Sequence, residues 1–370
     1  MNSLLQRFPA LKPVVLLVLT LASIVAALVL VALFLLMLGK DPLAAYGEMY
    51  KAAFGDWFGF SETLVVAIPV LLCACAVALP ARLGLFNVGA EGQLYLGAIC
   101  ATAADRYFQH LPGTLPLVSV VVCSFLGGAL WGFIPGALRV WFRVNETIST
   151  LMLNFVAINL SNYFVFGPWR DQSSGNFVLT AAFATVSRFP MIPGTRIHLG
   201  LVLGLLAGLT LFLVLRFTVW GYRIRMIGDN PKVGRYAGFN VNWTVLLVMA
   251  VAGGIAGWAG GGEVAAIQGR LRPGISPGFG YTGFLVAWLA RHNELAIPAY
   301  AVLVGGLLLG GDVLQISLGL PQATVNIVQG VVFFFILGSE WWLQRRVLDH
   351  IPAQPEPLSS TAPQSPGAAA

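Results

Sequence analysis

Asn87, Glu91 and Gln93 are the residues whose types and setting could do chemistry in this chain. They fall in Gly84-Leu85-Phe86-Asn87-Val88-Gly89-Ala90-Glu91-Gly92-Gln93, between residues 64–79 and 94–104, which carry no charge. A carboxylate and two carboxamides can hydrogen-bond the hydroxyls or ring edges of a polar solute. A glycine-rich break in an apolar segment must be buried in protein or line a wet cavity, because lipid cannot satisfy its backbone groups. An ionisable group at that depth marks a functional site. Asn87 can cap a restarting helix, with Glu91 in or next to its first turn, where the dipole favours an anion. Their spacing of four puts both on one helix face, at or near a solute pathway. The residues alone leave two other readings open. Glu91 is solvated in a turn at the membrane surface, or it holds the broken helix by pairing with Arg82 or with backbone donors.

Further polar side chains recur inside apolar segments. Asn154 and Asn159 lie in 146–166, with Asn162 toward its end, and Asn326 and Gln329 share a helix face in 324–342. Any one of them is more often interhelical glue. As a set they line a cavity for a neutral polar solute, and Phe86, Phe155 and Trp288 stack on a planar ring. We take Asn87, Glu91, Gln93, Asn154 and Asn326 as the candidate pathway residues. Other chemistry is not expected. No GxxxxGK[ST] phosphate loop is present, no His, Cys or carboxylate cluster has metal-ligand spacing, and no nucleophile–base pair is legible, so the chain reads as a non-enzyme binding no cofactor or metal itself. The four cysteines, Cys73, Cys75, Cys100 and Cys123, lie in apolar segments and read as small hydrophobes.

Residues 218–242 form the longest basic loop, with Arg223, Arg225, Lys232 and Arg235 against the single acid Asp229. Asn230 can cap a short helix that starts at Pro231 and ends at Gly238. The plain reading is a positive-inside loop. A capped helix ending Gly234-Arg235-Tyr236-Ala237-Gly238 is better explained by docking to a soluble partner.

These elements need a membrane to hold them. The chain is 58% hydrophobic and 10% charged, with a net charge of +6 that fits basic cytoplasmic loops rather than nucleic acid binding. Apolar runs near 14–38, 61–79, 88–105, 115–137, 146–166, 198–217, 243–262, 282–290, 296–311 and 324–342 predict an all-α polytopic membrane protein of about ten spans. The run at 14–38 reads as a retained span rather than a signal peptide. Residues 40–59 read as an outer loop, and 167–197 as the largest external segment with a short helix around 178–187. Thirteen of the 21 Lys and Arg then lie inside with both termini. Breaks follow the spans at 61–79 and 243–262, at their inner and outer ends respectively. This pattern predicts inverted repeats, 61–166 and 243–342, with the solute between the breaks near the midplane. Residues 1–346 form one transmembrane domain, and 347–370, rich in proline, a disordered cytoplasmic tail.

Three stretches carry a resemblance: GLFNVGAEGQ at 84–93, NETISTLMLN at 145–154 and GYRIRMIGDNPKVGRYAGFNV at 221–241. They resemble permease subunits of bacterial ABC importers of the branched-chain amino acid/ribose type, in the simple sugar/nucleoside branch, over about residues 10–345. The first is similar to one of that branch's two paired permeases. The third resembles the cytoplasmic coupling helix, which implies ATPase coupling through Asp229, Asn230, Pro231, Gly234, Arg235 and Gly238. The resemblance implies a multi-pass inner-membrane subunit importing nucleosides by alternating access. Its partners would be a second permease, an ATP-binding subunit carrying ATP and Mg, and an extracytoplasmic solute-binding protein. A simple sugar such as ribose, or a carrier or channel working without an ATPase, are the alternatives. Residues 176–196 and the tail match no pattern of the family.

Overall fold

The computed structural model describes residues 12–348, so the expectations for 1–11 and for nearly all of the tail at 347–370 lie outside the described residues. The chain divides into two compact units, 1–31 with 331–370, and 32–330. Among the described residues the first contributes only parts of two helices, and the packing of the second is as follows. The helices are α1 Lys12–Met37, α2 Pro42–Phe54, α3 Trp57–Ala81, α4 Ala90–Phe108, α5 Leu115–Phe142, α6 Glu146–Phe166 and α7 Leu199–Phe217. They continue as α8 Val219–Asp229, α9 Pro231–Tyr236, α10 Val241–Gly262, α11 Phe279–Leu289, α12 Ile297–Leu318 and α13 Gln322–Leu348. Among the described residues the only strand-like pairings are two isolated bridges, Arg170 with Thr180 and Met191 with His198.

The protein is thus an all-α polytopic membrane protein. Among the described residues six helices, α3, α5, α6, α7, α10 with the turn after it, and α12, are long and apolar enough to cross a bilayer, and a seventh span is reached if the end of α1 and α2 count as one bent span. Helix α4 is less apolar because it is surrounded by protein: Glu91, Gln93, Thr102 and Asp105 are all buried. Two corrections follow for the loops. Residues 40–59 are not a plain loop, since Asp41 accepts from Leu43 N–H and starts α2 at Pro42, the favoured first helical position. The helix expected around 178–187 is absent, and only a 3₁₀ turn, Thr185–Ser187, forms there. The segment's amides bond outward instead. Thr180 N–H donates to Leu271 O at 3.1 Å, Phe183 N–H to Gly269 O at 2.9 Å, and Phe189 N–H to Ala265 O at 3.2 Å. That leaves too few local bonds to close a helix, and it pins 167–197 to the second break.

Helices α3 and α10 are the central ones, 83% and 78% buried over their spanning windows. Glycine sets how closely α10 approaches α5. A Cβ on Gly128 would lie 2.2 Å from Gly253 O, and one on Gly253 would lie 2.3 Å from Gly128 O. Gly128 and Gly132 therefore face Gly253 and Gly257, two small-xxx-small rows that bring backbones into direct contact. The four cysteines are free, with Cys73 and Cys75 buried in α3.

Both breaks are built from local signals. Helix α3 ends in a Schellman motif: Gly84 takes φ +70°, Leu85 N–H donates to Pro80 O at 3.1 Å, and Gly84 N–H donates to Ala81 O at 3.0 Å. Helix α10 ends in a π turn, Glu263–Ile267, whose last bond runs from Gln268 N–H to Glu263 O at 2.9 Å. An irregular stretch then leads to α11, which begins after Gly278 at φ +105°. At ~1.5 Å per residue the 11 residues of α11 span ~16 Å, about half a bilayer core.

Candidate functional site

The N-termini of α4 and α11 meet. Gly280 comes so close to α4 that a Cβ there would lie 2.2 Å from Glu91 N. Glu91 is the second residue of α4, and its Oε2 accepts from the N–H of Gly280, the second residue of α11, at 2.7 Å. The carboxylate therefore sits between two helix starts, each of which leaves unpaired N–H groups and a positive dipole end. Ser276 caps α11 by accepting from Gly278 N–H at 3.1 Å and Phe279 N–H at 3.0 Å.

The carboxamides complete the junction. Asn87 and Gln93 exchange two bonds, Asn87 Nδ2 to Gln93 Oε1 and Gln93 Nε2 to Asn87 Oδ1, each 3.0 Å. Asn87 Nδ2 also reaches Ala76 O at 3.2 Å, which ties the break back to α3. Asn154, from the middle of α6, accepts from Gly92 N–H at 2.8 Å and donates to Val88 O at 2.9 Å and to the Tyr281 hydroxyl at 3.3 Å. Asn154 thus caps α4 from another helix. All four side chains are buried, at 0–2% exposure. Fully paired amides of this kind each contribute about 1 kcal/mol, and losing one partner strands the other in a dry site.

The structure brings Asn87, Glu91, Gln93 and Asn154 together and leaves Asn326 apart. Asn326 is exposed on α13, where it accepts from Gln322 at 3.3 Å. Two expectations are corrected. Asn87 and Glu91 do not share a helix face, because α4 starts at Ala90 and Asn87 precedes it, accepting from Gly89 N–H at 3.1 Å. Arg82 does not pair with Glu91. It bonds Glu294 at 2.8 Å and His292 O at 2.7 Å, in the turn between α11 and α12. The other flagged amides point elsewhere: Asn159 bonds Phe155 O within α6, and Gln329 packs against Gly311 of α12. Phe86 and Trp288 stack on each other, with centroids 6.0 Å apart and planes 9° apart, and Phe155 lies on the exposed face of α6. Arg272 is exposed and bonded to Gln268, and Arg270 lies near Asp171, whose carboxyl is held below its usual range mainly by bonds from Ser173 and secondarily by Arg270. Gly280, Tyr281 and Glu294 also belong to these contacts and were not among the candidate residues. The signals available for them were the Ser276-x-Gly278-x-Gly280 run before an apolar segment and a lone acid after Arg291.

The basic loop folds as two helices. Asn230 caps α9 by accepting from Lys232 N–H at 2.9 Å, Pro231 takes the first position, and Gly238 ends the turn at φ +81°. Before them α8 runs from Val219 to Asp229. Gly234 is buried against Ile227 of α8, which holds the pair together, and Arg223 lies over the Phe239 ring at 5.2 Å. Lys232, Val233, Arg235 and Tyr236 face outward, with Tyr236 92% exposed. Helix α8 touches the first break: a Cβ on Gly228 would lie 2.1 Å from Arg82 O.

Spans interrupted at a buried polar junction, with a basic helical pair packed on the end of one of them, define a class of multi-pass membrane protein. The comparisons give the family. Residues 59–337 match the family described as branched-chain amino acid transport system / permease component, and the chain belongs to it. The chain is 34% identical over 337 residues to a glucose ABC transporter permease protein of Haloferax volcanii, covering 88% of each chain. It is 30% identical over 322 residues to a guanosine ABC transporter permease protein of Bacillus subtilis, covering 86% of this chain and 92% of the relative. It is 29% identical over 327 residues to a nucleoside ABC transporter permease protein of Lactococcus lactis, covering 85% and 89%. The chain is an ABC permease subunit.

Proposed function

We propose that this chain is one of two paired permeases of an ATP-driven nucleoside importer in a bacterial inner membrane. It crosses about ten times with both termini cytoplasmic. ATP and Mg are handled by a separate subunit docked on α9 through Asp229, Asn230, Pro231, Gly234, Arg235 and Gly238, and a solute-binding protein docks at the face formed by 167–197. Residues 1–346 are the permease domain and the remainder a cytoplasmic tail.

One observation carries the mechanism. Helix α9 packs on α8 through Gly234 and Ile227, α8 touches Arg82 through Gly228, and Arg82 bonds Glu294 at the far end of α11. A push on α9 therefore reaches the start of the first break and the half-helix that carries the second. Asn87, Glu91, Gln93 and Asn154 line the solute pathway in its closed state, and α11 withdrawing from α4 opens it. Asn326 lines it from α13 once the helices have moved. Two breaks whose restarted helices meet N-terminus to N-terminus support inverted repeats at 61–166 and 243–342. The docking surface on α9, with exposed Tyr236 and Val233 among basic groups, favours an ATPase partner over a self-sufficient carrier.

Nucleosides are favoured because two relatives are named for guanosine and nucleoside transport. A simple sugar is the second reading, because the relative at 34% identity is named for glucose. Uptake of labelled adenosine, guanosine, uridine, ribose and glucose into cells carrying the full system decides between them. Saturable, ATP-dependent uptake of nucleosides alone is expected. Uptake of glucose or ribose without nucleosides rules out the first reading, and uptake that survives inactivation of the ATPase rules out both.

A further inference from the structure

A cavity of about 440 Å³ opens where α3, α7 and α11 finish, lined by Arg82, Arg216, Arg225, Arg291 and Glu294 among others. Its volume lies in the range of small-molecule sites, about 300–1,000 Å³. Four arginines face one acid there, and that acid already bonds Arg82 at 2.8 Å. The arginines are held in place by the fold. Arg225 bonds Leu215 O in the last turn of α7, Arg216 lies over the Phe212 and Phe217 rings at 5.7 and 5.9 Å, and Arg82 also bonds His292 O. Arg291 and His292 take left-handed backbone angles, φ 51° and 54°, in the turn that forms one wall. Left-handed geometry in two successive non-glycine residues costs energy and is retained where the surroundings impose it. Guanidinium groups match the oxygens of a phosphate group in pairs. Beside the cavity α7 presents exposed Leu209 and Leu213, which suit acyl chains.

We propose that this cavity binds a phosphate group, supplied by the headgroup of an anionic phospholipid whose chains lie along α7. The site is independent of which solute the permease carries. Basic pockets between helix ends at the cytoplasmic surface bind such headgroups, each Arg adding about fivefold in affinity. The occupant would rest against the Arg82–Glu294 contact, which links α8 to α11.

The test uses the full-length permease, delipidated in detergent and re-equilibrated with phosphatidylglycerol or phosphatidylcholine, with retained lipid counted by native mass spectrometry. One phosphatidylglycerol per chain is expected, with no retained phosphatidylcholine. Arg216→Gln with Arg291→Gln should lower retention about 25-fold, and Arg216→Lys with Arg291→Lys should restore it only in part, because Lys keeps the charge without the paired N–H donors. Equal retention of the two lipids, or retention untouched by the Gln pair, overturns the proposal. Displacement of phosphatidylglycerol by millimolar inorganic phosphate assigns the pocket to a soluble anion and overturns the lipid source. If the Gln pair does not fold, the salt dependence of retention by the unaltered protein decides. A steep loss with added salt supports the site, and no dependence overturns it.

Discussion

Replacing Glu91 by Gln tests whether the carboxylate anchors two broken helices or contacts the solute. The geometry argues for the anchor, because Glu91 is 2% exposed and accepts from Gly280 N–H at 2.7 Å. Gln keeps the shape and can still accept from Gly280, so the change removes charge and little else. A hydrogen bond to a charged group contributes about 1.5–3 kcal/mol against about 1 for a neutral one. A partly buried charge at a helix N-terminus adds up to ~2 kcal/mol. The substitution should therefore weaken the closed junction by about 1–3 kcal/mol, roughly 5- to 150-fold in its closing equilibrium. Helix α11 depends on the contact because 11 residues make a marginal helix on their own. The assay pairs thermal unfolding of the purified protein with uptake of several nucleosides. We expect a lowered melting temperature, reduced abundance, and uptake of every solute changed by the same factor. Normal abundance and melting with an altered ranking of solutes would refute the anchor and place the carboxylate on the solute. Full uptake at normal abundance would refute both roles.

Other predictions address other parts of the chain. Reporter fusions after Arg143, Lys232 and Arg346 should report cytoplasm and fusions at Asp56 and Gln172 the outside; a cytoplasmic signal at Gln172 sinks the ten-span map. Arg235→Glu with Gly238→Leu should abolish uptake with the protein still inserted, since it reverses charge on the proposed docking face and Leu resists the φ of +81° at that turn; persistent uptake and ATPase stimulation would reduce α9 to a tether. Gly128→Ala should destabilise by about 1–3 kcal/mol, its Cβ meeting Gly253 O at 2.2 Å, whereas Gly47→Ala, with open space, should cost nothing; equal melting of the two variants contradicts the close packing of α5 on α10. His198, just outside α7, accepts from Gly200 N–H at 3.1 Å, and burial, helped by Arg196, pushes its pKa down to about 4. Between pH 6.5 and 4 the unfolded chain binds a proton that the folded one does not, so stability is complete above 6.5 and falls by about 2–4 kcal/mol on acidification. His198→Asn keeps an acceptor and should flatten that slope; an unchanged slope would assign the pH dependence to other groups.

What the sequence made legible follows from the range of the interactions involved. Asn230, Pro231 and Gly238 specify α9 within nine residues, and the structure has that helix with that cap. The glycines of α10 announce close packing because few other uses fit so many in one span. Helix α2 was missed because its signal, Asp41 before Pro42, is weak beside the polar residues around it. The absent helix near 178–187 is the reverse case. The segment is helix-compatible, and its amides are claimed by Leu271, Gly269 and Ala265, roughly 75–90 positions away in sequence.

The site divides in the same way. That Asn87, Glu91 and Gln93 matter follows from polar groups in an apolar block, and that judgement needs only the neighbouring residues. Their partners lie far along the chain: Glu91 bonds an amide 189 residues on, and Arg82 bonds a carboxylate 212 residues on. Arg82 and Glu91 are nine residues apart with opposite charge, so proximity suggested a pair. The Schellman motif at Gly84 instead leaves Arg82 part-exposed at the helix end, while α4 restarts with Glu91 buried in protein. Each charge then meets a different element, Arg82 the turn at Glu294 and Glu91 the half-helix start at Gly280. A break in a span therefore separates neighbouring charges and gives each a different structural partner. That separation puts the Arg82–Glu294 pair at the opposite end of α11 from the Glu91–Gly280 bond.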